Sequence, residues 1–502
     1  MPAVTCDQMR RLENAAIQAG RDEASLMEEA GRGLAEVVAA LLPMPAAAVI
    51  FAGKGHNAGD AFIAARHWLE MGWKVIVRPA FPDPATWRPL IQAAWQEIEP
   101  RLSRDIPSAG RLVLVDALLG LGTGGALRGP VREACRELNA LRLARHAVTV
   151  AVDGPSGLDF DSGEADPDAI VADITVTIAV AKTGLFADRA ISHVGRLAVV
   201  PLPALEPKNS DDAEDGAEIL TPRVLRPLLP ARRGFDFHKG QAGRVLVVAG
   251  SRGFLGAARL CAEAAVRGGA GLVTLAAPVD LYEIAAASVA AEVMVKASDV
   301  PEEWRHWPAD ALAVGPGLGQ RANPAFLQWL GSDPRPAVVD ADALNALAAA
   351  GLARRPGPPE APRLLTPHPG EMRRLLEAWR PQLSSAPRRE QATALARHLS
   401  VTVLLKGART VIATPGQPAA FNTTGHPGMA SGGMGDVLAG LSAALLAQGA
   451  DTHAAACLGS WLLGRAAELA LASGRVSPES LLASDVLAHL GPAFEALRFM
   501  EA

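Results

Sequence analysis

Lysine is scarce in this chain. Its 502 residues include only Lys54, Lys74, Lys182, Lys208, Lys239, Lys296 and Lys406, and arginine fills the other cationic positions. There is no dense Lys/Arg run and the formal charge is -5, which argues against nucleic acid as a partner. Cysteine is also sparse: Cys6, Cys135, Cys261 and Cys457 lie far apart, with no metal or redox spacing. They read as reduced, buried thiols of a cytoplasmic protein. The N-terminus has no basic stretch leading into an apolar one, and Asp7 and Glu13 come too early for a transit peptide. The longest apolar run, Val37 to Gly53, is broken by Pro43 and Pro45, so it reads as helix end, turn and strand. A soluble protein with no membrane partner is expected. No repeat relates the two halves.

What is present is alternation. Thr5 with Gln8 and Ser25 with Glu28 have the spacing of capping boxes, and helices are predicted over about 6–19 and 26–42. Short apolar runs follow at 47–52, 73–78, 112–116, 148–152 and 173–178, separated by helix-length segments. Runs apolar on both faces suit a parallel sheet covered by helices. Composition then shifts. Pro201 to Glu218 carries three prolines and the acidic group Asp211, Asp212, Glu214 and Asp215, and reads as an exposed linker. A second alternating region begins near Thr221, with strand-like runs at 244–249, 272–276, 311–314, 337–340, 363–365, 402–405 and 410–413. The expected architecture is two α/β domains in tandem, 1–205 and 221–502, joined by 206–220.

The most informative stretch is 422–441, NTTGHPGMASGGMGDVLAGL. Gly432, Gly433 and Gly435 let the backbone fold tightly and aim several N–H groups at one point, ahead of an apolar helix over Val437 to Ala447. A helix N-terminus favours an anion such as a transferring phosphate. Asp436 stands at the junction, where a carboxylate could take a proton from a hydroxyl attacking that phosphate.

Other glycine-rich segments follow predicted strands, and so sit at the carboxyl edge where open α/β sheets bind ligands. In the second half these are Gly250-Ser-Arg-Gly253-Phe-Leu-Gly256-Ala257, Gly315-Pro-Gly317-Leu-Gly319, Asp340-Ala-Asp342 and His368-Pro-Gly370-Glu371. The first has the glycine spacing of a dinucleotide turn, but the next strand, 271–277, lacks the acidic residue a dehydrogenase would place there. Glu371 also suits plain helix initiation after Pro369. Lys406-Gly407-Ala408-Arg409-Thr410 puts a cation and a hydroxyl in a turn between strands, suited to nucleotide phosphates. In the first half, Gly53-Lys54-Gly55-His56-Asn57-Ala58-Gly59-Asp60 lacks the Gly-Lys-Ser/Thr ending of a triphosphate loop. It is joined by Asp116 with Gly120 to Gly125, and by Asp153-Gly-Pro-Ser156. Asn57, Asp116 and Ser156 are hard oxygen ligands of the kind a group I or II cation prefers. The lysines support the same loops, since Lys54, Lys182, Lys239 and Lys406 all sit in glycine-bearing segments.

The segments HKGQAGRVLVVAGS, AVGPGLG, VVDADALNAL, LTPHPGEM, LLKGARTVI and NTTGHPGMASGGMGDVLAGL, over roughly 221–495, resemble the ADP-dependent NAD(P)H-hydrate dehydratase domain. The resemblance implies a ribokinase-like α/β/α fold. It implies that Ala257, Gly317, His368 and Asp436 contact the hydrated nicotinamide nucleotide, with Asp436 catalytic. It also implies that Lys406, Gly407, Ala408, Arg409, Thr410 and Gly435 hold ADP, and that Glu371 helps organise magnesium. Residues 1–205 resemble the NAD(P)H-hydrate epimerase domain, a Rossmann-like α/β/α fold. That resemblance implies potassium on Asn57, Asp116 and Ser156. It implies substrate contacts from His56, Asn57, Ala58, Gly59, Asp60, Gly120, Leu121, Gly122, Thr123, Gly124, Gly125, Ala126 and Asp153. The family's Asn-Asn-Gly-Gly-Asp-Gly reads here His56-Asn57-Ala58-Gly59-Asp60-Ala61, which puts loop geometry and turnover in question. No residue for proton transfer is identified in that half. The expected protein repairs hydrated NADH and NADPH, with ADP, magnesium and potassium as cofactors, and forms a homo-oligomer. The alternative is a hydroxymethylpyrimidine- or thiazole-type kinase with a non-catalytic N-terminal binding domain.

Overall fold

The protein is described by a computed structural model covering residues 1–42, 44–121, 126–207, 217–351 and 361–499. The chain divides into two compact units, Met1–Ile219 and Leu220–Ala502.

The first unit is built on six parallel strands: β1 (Ala47–Ala52), β2 (Lys74–Pro79), β3 (Leu112–Ala117), β4 (Val148–Val152), β5 (Ile174–Ile178) and β6 (Arg196–Val200). Their order is β2-β1-β3-β4-β5-β6. Side chains alternate along a strand, so β1 feeds two cores. Ala48, Ile50 and Ala52 pack with Leu34, Val38, Phe62 and Trp68 from the helices Glu23–Leu41 and His56–Glu70. Ala47, Val49 and Phe51 pack with Val131, Cys135 and Leu138 of the helix Gly129–Arg145 on the opposite face. This is the physical origin of the unbroken apolar runs.

Thr5 and Gln8 do form the first capping box. The second does not form on Ser25. The helix starts at Glu23, and Asp22 accepts the Ser25 amide at 3.1 Å, its carboxylate complementing the positive helix end. The strand β6 has no counterpart in the sequence reading, because it is a short edge strand begun by an arginine. The segment read as exposed linker is packed at both described ends. Leu202 and Leu205 are buried, as are Ala217 and Ile219 of β7 (Ala217–Ile219), which bonds back to Met1 and Ala3.

The second unit's strands are β8 (Arg244–Val248), β9 (Leu272–Ala277), β10 (Val293–Ala297), β11 (Ala311–Val314), β12 (Ala337–Val339), β13 (Arg363–Leu365), β14 (Thr402–Leu405), β15 (Val411–Ala413) and β16 (Ala419–Phe421). Within the unit their order is β10-β9-β8-β11-β12-β13-β14-β15-β16. Strands from β10 to β14 run parallel, so their carboxyl ends share one edge, and β15 and β16 close the sheet as antiparallel hairpins.

The helix Met434–Ala447 crosses this core buried on nearly every side. At Gly440 an added Cβ would stand 1.9 Å from the carbonyl oxygen of Cys261, so the helix lies backbone-to-backbone against Leu255–Arg267. Burial pushes the Cys261 thiol far above its ordinary range, with Asp436 and Asp340 adding to the effect, as expected of an inert core cysteine. The helix Thr452–Ala472 is long and apolar enough to cross a membrane by composition, but most of it is buried inside this unit.

Candidate active site

In the second unit the loops after β8, β11, β12, β13 and β14 converge. Gly250 donates to the Pro316 carbonyl at 2.9 Å, and the Ser251 hydroxyl donates to that of Gly317 at 2.9 Å. A Cβ on Gly317 would fall 3.1 Å from that of Ala257, so these two expected substrate contacts do touch. The Gly319 amide donates to Asp342 at 2.8 Å.

The glycine loop ends at Gly433, whose φ of 95° is the left-handed conformation that glycine adopts cheaply. The helix begins at Met434, three residues earlier than the hydrophobic pattern indicates, which puts Asp436 inside its first turn. A Cβ on Gly435 would lie 3.3 Å from Lys406 Nζ and 3.5 Å from Asp340 Oδ2. Lys406 in turn donates to Asp340 Oδ1 at 2.6 Å and lies 3.8 Å from Glu371 Oε2. Asp340, Glu371, Lys406, Gly435 and Asp436 therefore form one cluster drawn from four loops.

Its electrostatics follow from burial and like charge. Burial, then the neighbouring Asp340, pushes the Asp436 carboxyl up to about 7, with Lys406 opposing. Burial also raises Glu371, again opposed by Lys406. Burial disfavours the Lys406 ammonium, but the charges of Asp340 and Glu371 outweigh it and raise its pKa. Glu371 plays the helix-starting role as well. It accepts the His368 amide at 2.8 Å, while His368 Nδ1 accepts the amides of Gly370 at 2.9 Å and Glu371 at 3.3 Å.

In the turn between β14 and β15, Thr410 donates to the Gly407 carbonyl at 3.0 Å and Arg409 takes a φ of 55°. Arg388 holds this turn, donating to the carbonyls of Ala408 at 2.6 Å, Lys406 at 3.1 Å and Leu405 at 3.2 Å. The sequence offers no signal for Arg388, which comes from a separate helix, Arg388–Leu399.

In the first unit, Asn57, Asp116 and Ser156 also come together. Asp116 is fully buried and accepts from Ser156 twice, from its amide at 2.7 Å and its hydroxyl at 2.7 Å. The Leu119 amide donates to the Ser156 hydroxyl at 3.0 Å, and Asn57 donates to the Leu119 carbonyl at 2.8 Å. Burial raises Asp116 to about 6, and the hydrogen bonds from Ser156 and Leu118 restrain the shift. Among the described residues no lysine or arginine pairs with Asp116. A buried carboxylate beside a hydroxyl is a hard oxygen set of the kind that suits a cation.

Beside it stand Asp60 and Asp153, both buried, and Lys182, whose ammonium is paired with Asp153 Oδ1. Two of the lysines singled out from the sequence, Lys182 and Lys406, are thus in the clusters. Lys54 instead lies 5.1 Å over the Phe81 ring, and Lys239 is exposed in a short turn. His56 bonds to Glu23 at 2.6 Å and to Arg88. Ala58 and Ala61 are fully buried within the helix His56–Glu70, where alanine favours helix over glycine by ~1 kcal/mol. Gly120, Leu121 and Ala126 flank this region, while Gly122, Thr123, Gly124 and Gly125 lie outside the described residues.

Family models match both units: residues 245–488 fit NAD(P)H-hydrate dehydratase and residues 23–184 fit the YjeF-related protein N-terminus. A bifunctional NAD(P)H-hydrate repair enzyme of Moorella thermoacetica is 38% identical over 88% of this chain and 86% of its own length. The chain belongs to the bifunctional NAD(P)H-hydrate repair enzyme family. The member from Coxiella burnetii is 34% identical over 96% of this chain and 97% of its own. A crystallised ADP/ATP-dependent NAD(P)H-hydrate dehydratase of Bacillus subtilis is 30% identical, covering 56% of this chain and 98% of its own, with a TM-score of 0.49. Repair enzymes of this family thus align along nearly the whole chain, through both clusters.

Proposed function

We propose that residues 1–205 interconvert the R and S hydrates of NADH and NADPH, and that residues 221–502 dehydrate the S hydrate at the expense of ADP. The observation that carries the reading is Asp436. It is a carboxyl held at about 7 in the first turn of a helix entered through glycines, so it is poised to exchange a proton near neutrality. Hydroxide is a poor leaving group. Asp436 removes the proton of the substrate hydroxyl, and the oxygen attacks the terminal phosphoryl group of ADP. The backbone N–H groups of the glycine loop stabilise the charge on that group in transit. The carbon–oxygen bond of the phosphate ester then breaks: inorganic phosphate leaves as the lone pair of the ring nitrogen forms an iminium, and loss of a proton from the adjacent ring carbon to water restores the double bond.

Ala257, Gly317 and His368 line the nicotinamide side, and Lys406 to Thr410 with Gly435 line the nucleotide side. The carboxylates of Asp340 and Glu371 fit a magnesium ion that arrives on phosphate, since magnesium sites commonly combine one or two carboxylates with substrate oxygens. Such an ion would neutralise charge on the phosphates. In the first unit Asn57, Asp116 and Ser156 would hold potassium, and the neighbouring loops His56 to Asp60, Gly120 to Ala126 and Asp153 would take the hydrate. Small hydrated nucleotides and ADP are the partners, and a homo-oligomer is the expected assembly.

The test is to incubate the protein with hydrated NADH and either ADP or ATP, following the absorbance of the restored dihydronicotinamide. Recovery dependent on the nucleotide supports the reading. A stable phosphorylated product without recovery would instead point to a small-molecule kinase.

A further inference from the structure

A second buried acidic cluster lies in the first unit, and the dehydration chemistry does not use it. Asp60, in the helix His56–Glu70, is 7% exposed and makes no side-chain hydrogen bond among the described residues. Asp153 directly follows β4 in a left-handed conformation, φ 66°, and is 4% exposed. Its Oδ1 accepts from Lys182, from the Ile178 amide at 3.1 Å and from the Thr177 hydroxyl at 3.3 Å. Its Oδ2 accepts nothing from the described residues. Lys182 is 1% exposed and is further tied to Thr177 and to the Ile178 carbonyl, both at 3.3 Å. The cluster therefore offers two unlike carboxyls: one saturated on a single oxygen and salt-bridged, the other buried with no partner.

We propose that Asp60 is the proton donor of epimerisation in the first unit, that Asp153 Oδ2 is the matching acceptor, and that Lys182 is the positioning residue for Asp153. The inference rests on the reading of this unit as the epimerase. The R and S hydrates differ at the ring carbon that carries the hydroxyl and adjoins the ring nitrogen. Asp60 gives its proton to that hydroxyl, the carbon–oxygen bond breaks, and water leaves as the nitrogen lone pair forms an iminium. A water then adds to the opposite face and its proton passes to Asp153. Asp60 ends ionised and Asp153 protonated. The reverse epimerisation runs from that state, so no oxidant or further reactant is consumed.

The environment of Asp60 supports the assignment. Burial, then the charges of Asp153 and Glu13, holds its carboxyl well above the usual range, and Lys182 alone opposes them. Glu13, on the helix Cys6–Gln18, is itself raised by burial, then by Asp153. An acid kept protonated by its surroundings is what departure of hydroxide requires.

The test uses the full-length protein without ADP, with chromatographic separation of the two hydrates. The substitution Asp60→Asn is near-isosteric and is expected to lower kcat for epimer exchange by roughly 10²–10⁴-fold with little change in KM. The alkaline fall in the wild-type rate should flatten in this variant, while ADP-dependent dehydration of pure S hydrate continues in the same preparation. Wild-type exchange with an unaltered pH profile in Asp60→Asn would overturn the proposal. If that variant fails to fold, wild-type protein in H₂¹⁸O decides the matter. Label should enter the hydroxyl in step with epimer exchange, and exchange without label would refute departure of water. A wild-type protein that exchanges no epimers would remove the underlying reading of the unit itself.

Discussion

The ammonium of Lys406 lies 2.6 Å from Asp340 Oδ1, so the cation expected to meet the nucleotide is already held by a carboxylate from another loop. Asp340 is also the neighbouring charge that most raises Asp436. One residue therefore governs both the cation and the base. Asp340→Asn should move the acid limb of the dehydration rate down by about one pH unit, since a like charge beside Asp436 is removed and Lys406 is released to favour its ionised form. A pH–kcat profile of the variant checks this, and an unmoved midpoint would contradict the coupling.

Asp436→Asn preserves shape but removes the base. Dehydration turnover should fall roughly 10²–10⁴-fold, the usual worth of general-base catalysis. ADP affinity by calorimetry should change little, and epimer exchange should continue, so that the variant scrambles the two hydrates without repairing either. Near-normal turnover would refute the base. Loss of ADP binding together with turnover would make Asp436 a structural part of the loop.

The same substitution should reveal a stability cost. The unfolded chain loses this proton near the ordinary 3.8 and the folded chain only near 7. Between those values the folded state binds the extra proton, so its stability falls as pH rises through the window. An amide cannot ionise and escapes that loss. Thermal melting should show Asp436→Asn more stable than the parent at pH 8, with the gap closing toward pH 4. An equal gap at both ends would mean that the carboxyl is not perturbed by the fold.

In the first unit, Asp116→Ala should impair epimerisation and leave dehydration of S hydrate intact, because Asp116 is the only charged member of the set with Asn57 and Ser156. Potassium chloride, compared with sodium chloride at equal ionic strength, should raise the melting temperature of the parent and not of the variant. Identical melting shifts in the two chains would dismiss the cation site.

Much of this was legible in the sequence, and for physical reasons. Strands buried on both faces, such as β1 and β3, leave uninterrupted apolar runs, and glycine loops at strand ends mark the carboxyl edge of each sheet. The strands that escaped detection are β6, β7, β10 and β16, which are short or lie at sheet edges, so their residues are less constrained to be apolar. At the sites, local pattern located Asp436, Lys406 and Asp116 but could not show what they touch. Asp153 meets Lys182 and Asp340 meets Lys406 only through the tertiary fold, which hydrophobic periodicity does not encode. Arg388 was invisible for the same reason, since its partners are carbonyls on a distant turn. The capping spacing at Ser25 was satisfied in sequence, but Asp22 was the better cap and took the position.

Gly440 lies one helical turn beyond Asp436, and it sets how closely the helix Met434–Ala447 can approach Cys261. A methyl group there would meet main chain rather than a side chain that could rotate aside. The whole helix would have to lift, carrying Asp436 off its line with the phosphate. The placement of the base is thus stored in a bare stretch of backbone one helical turn along from it. Drift in the surrounding core can be absorbed by repacking, but at this one position there is nothing to repack.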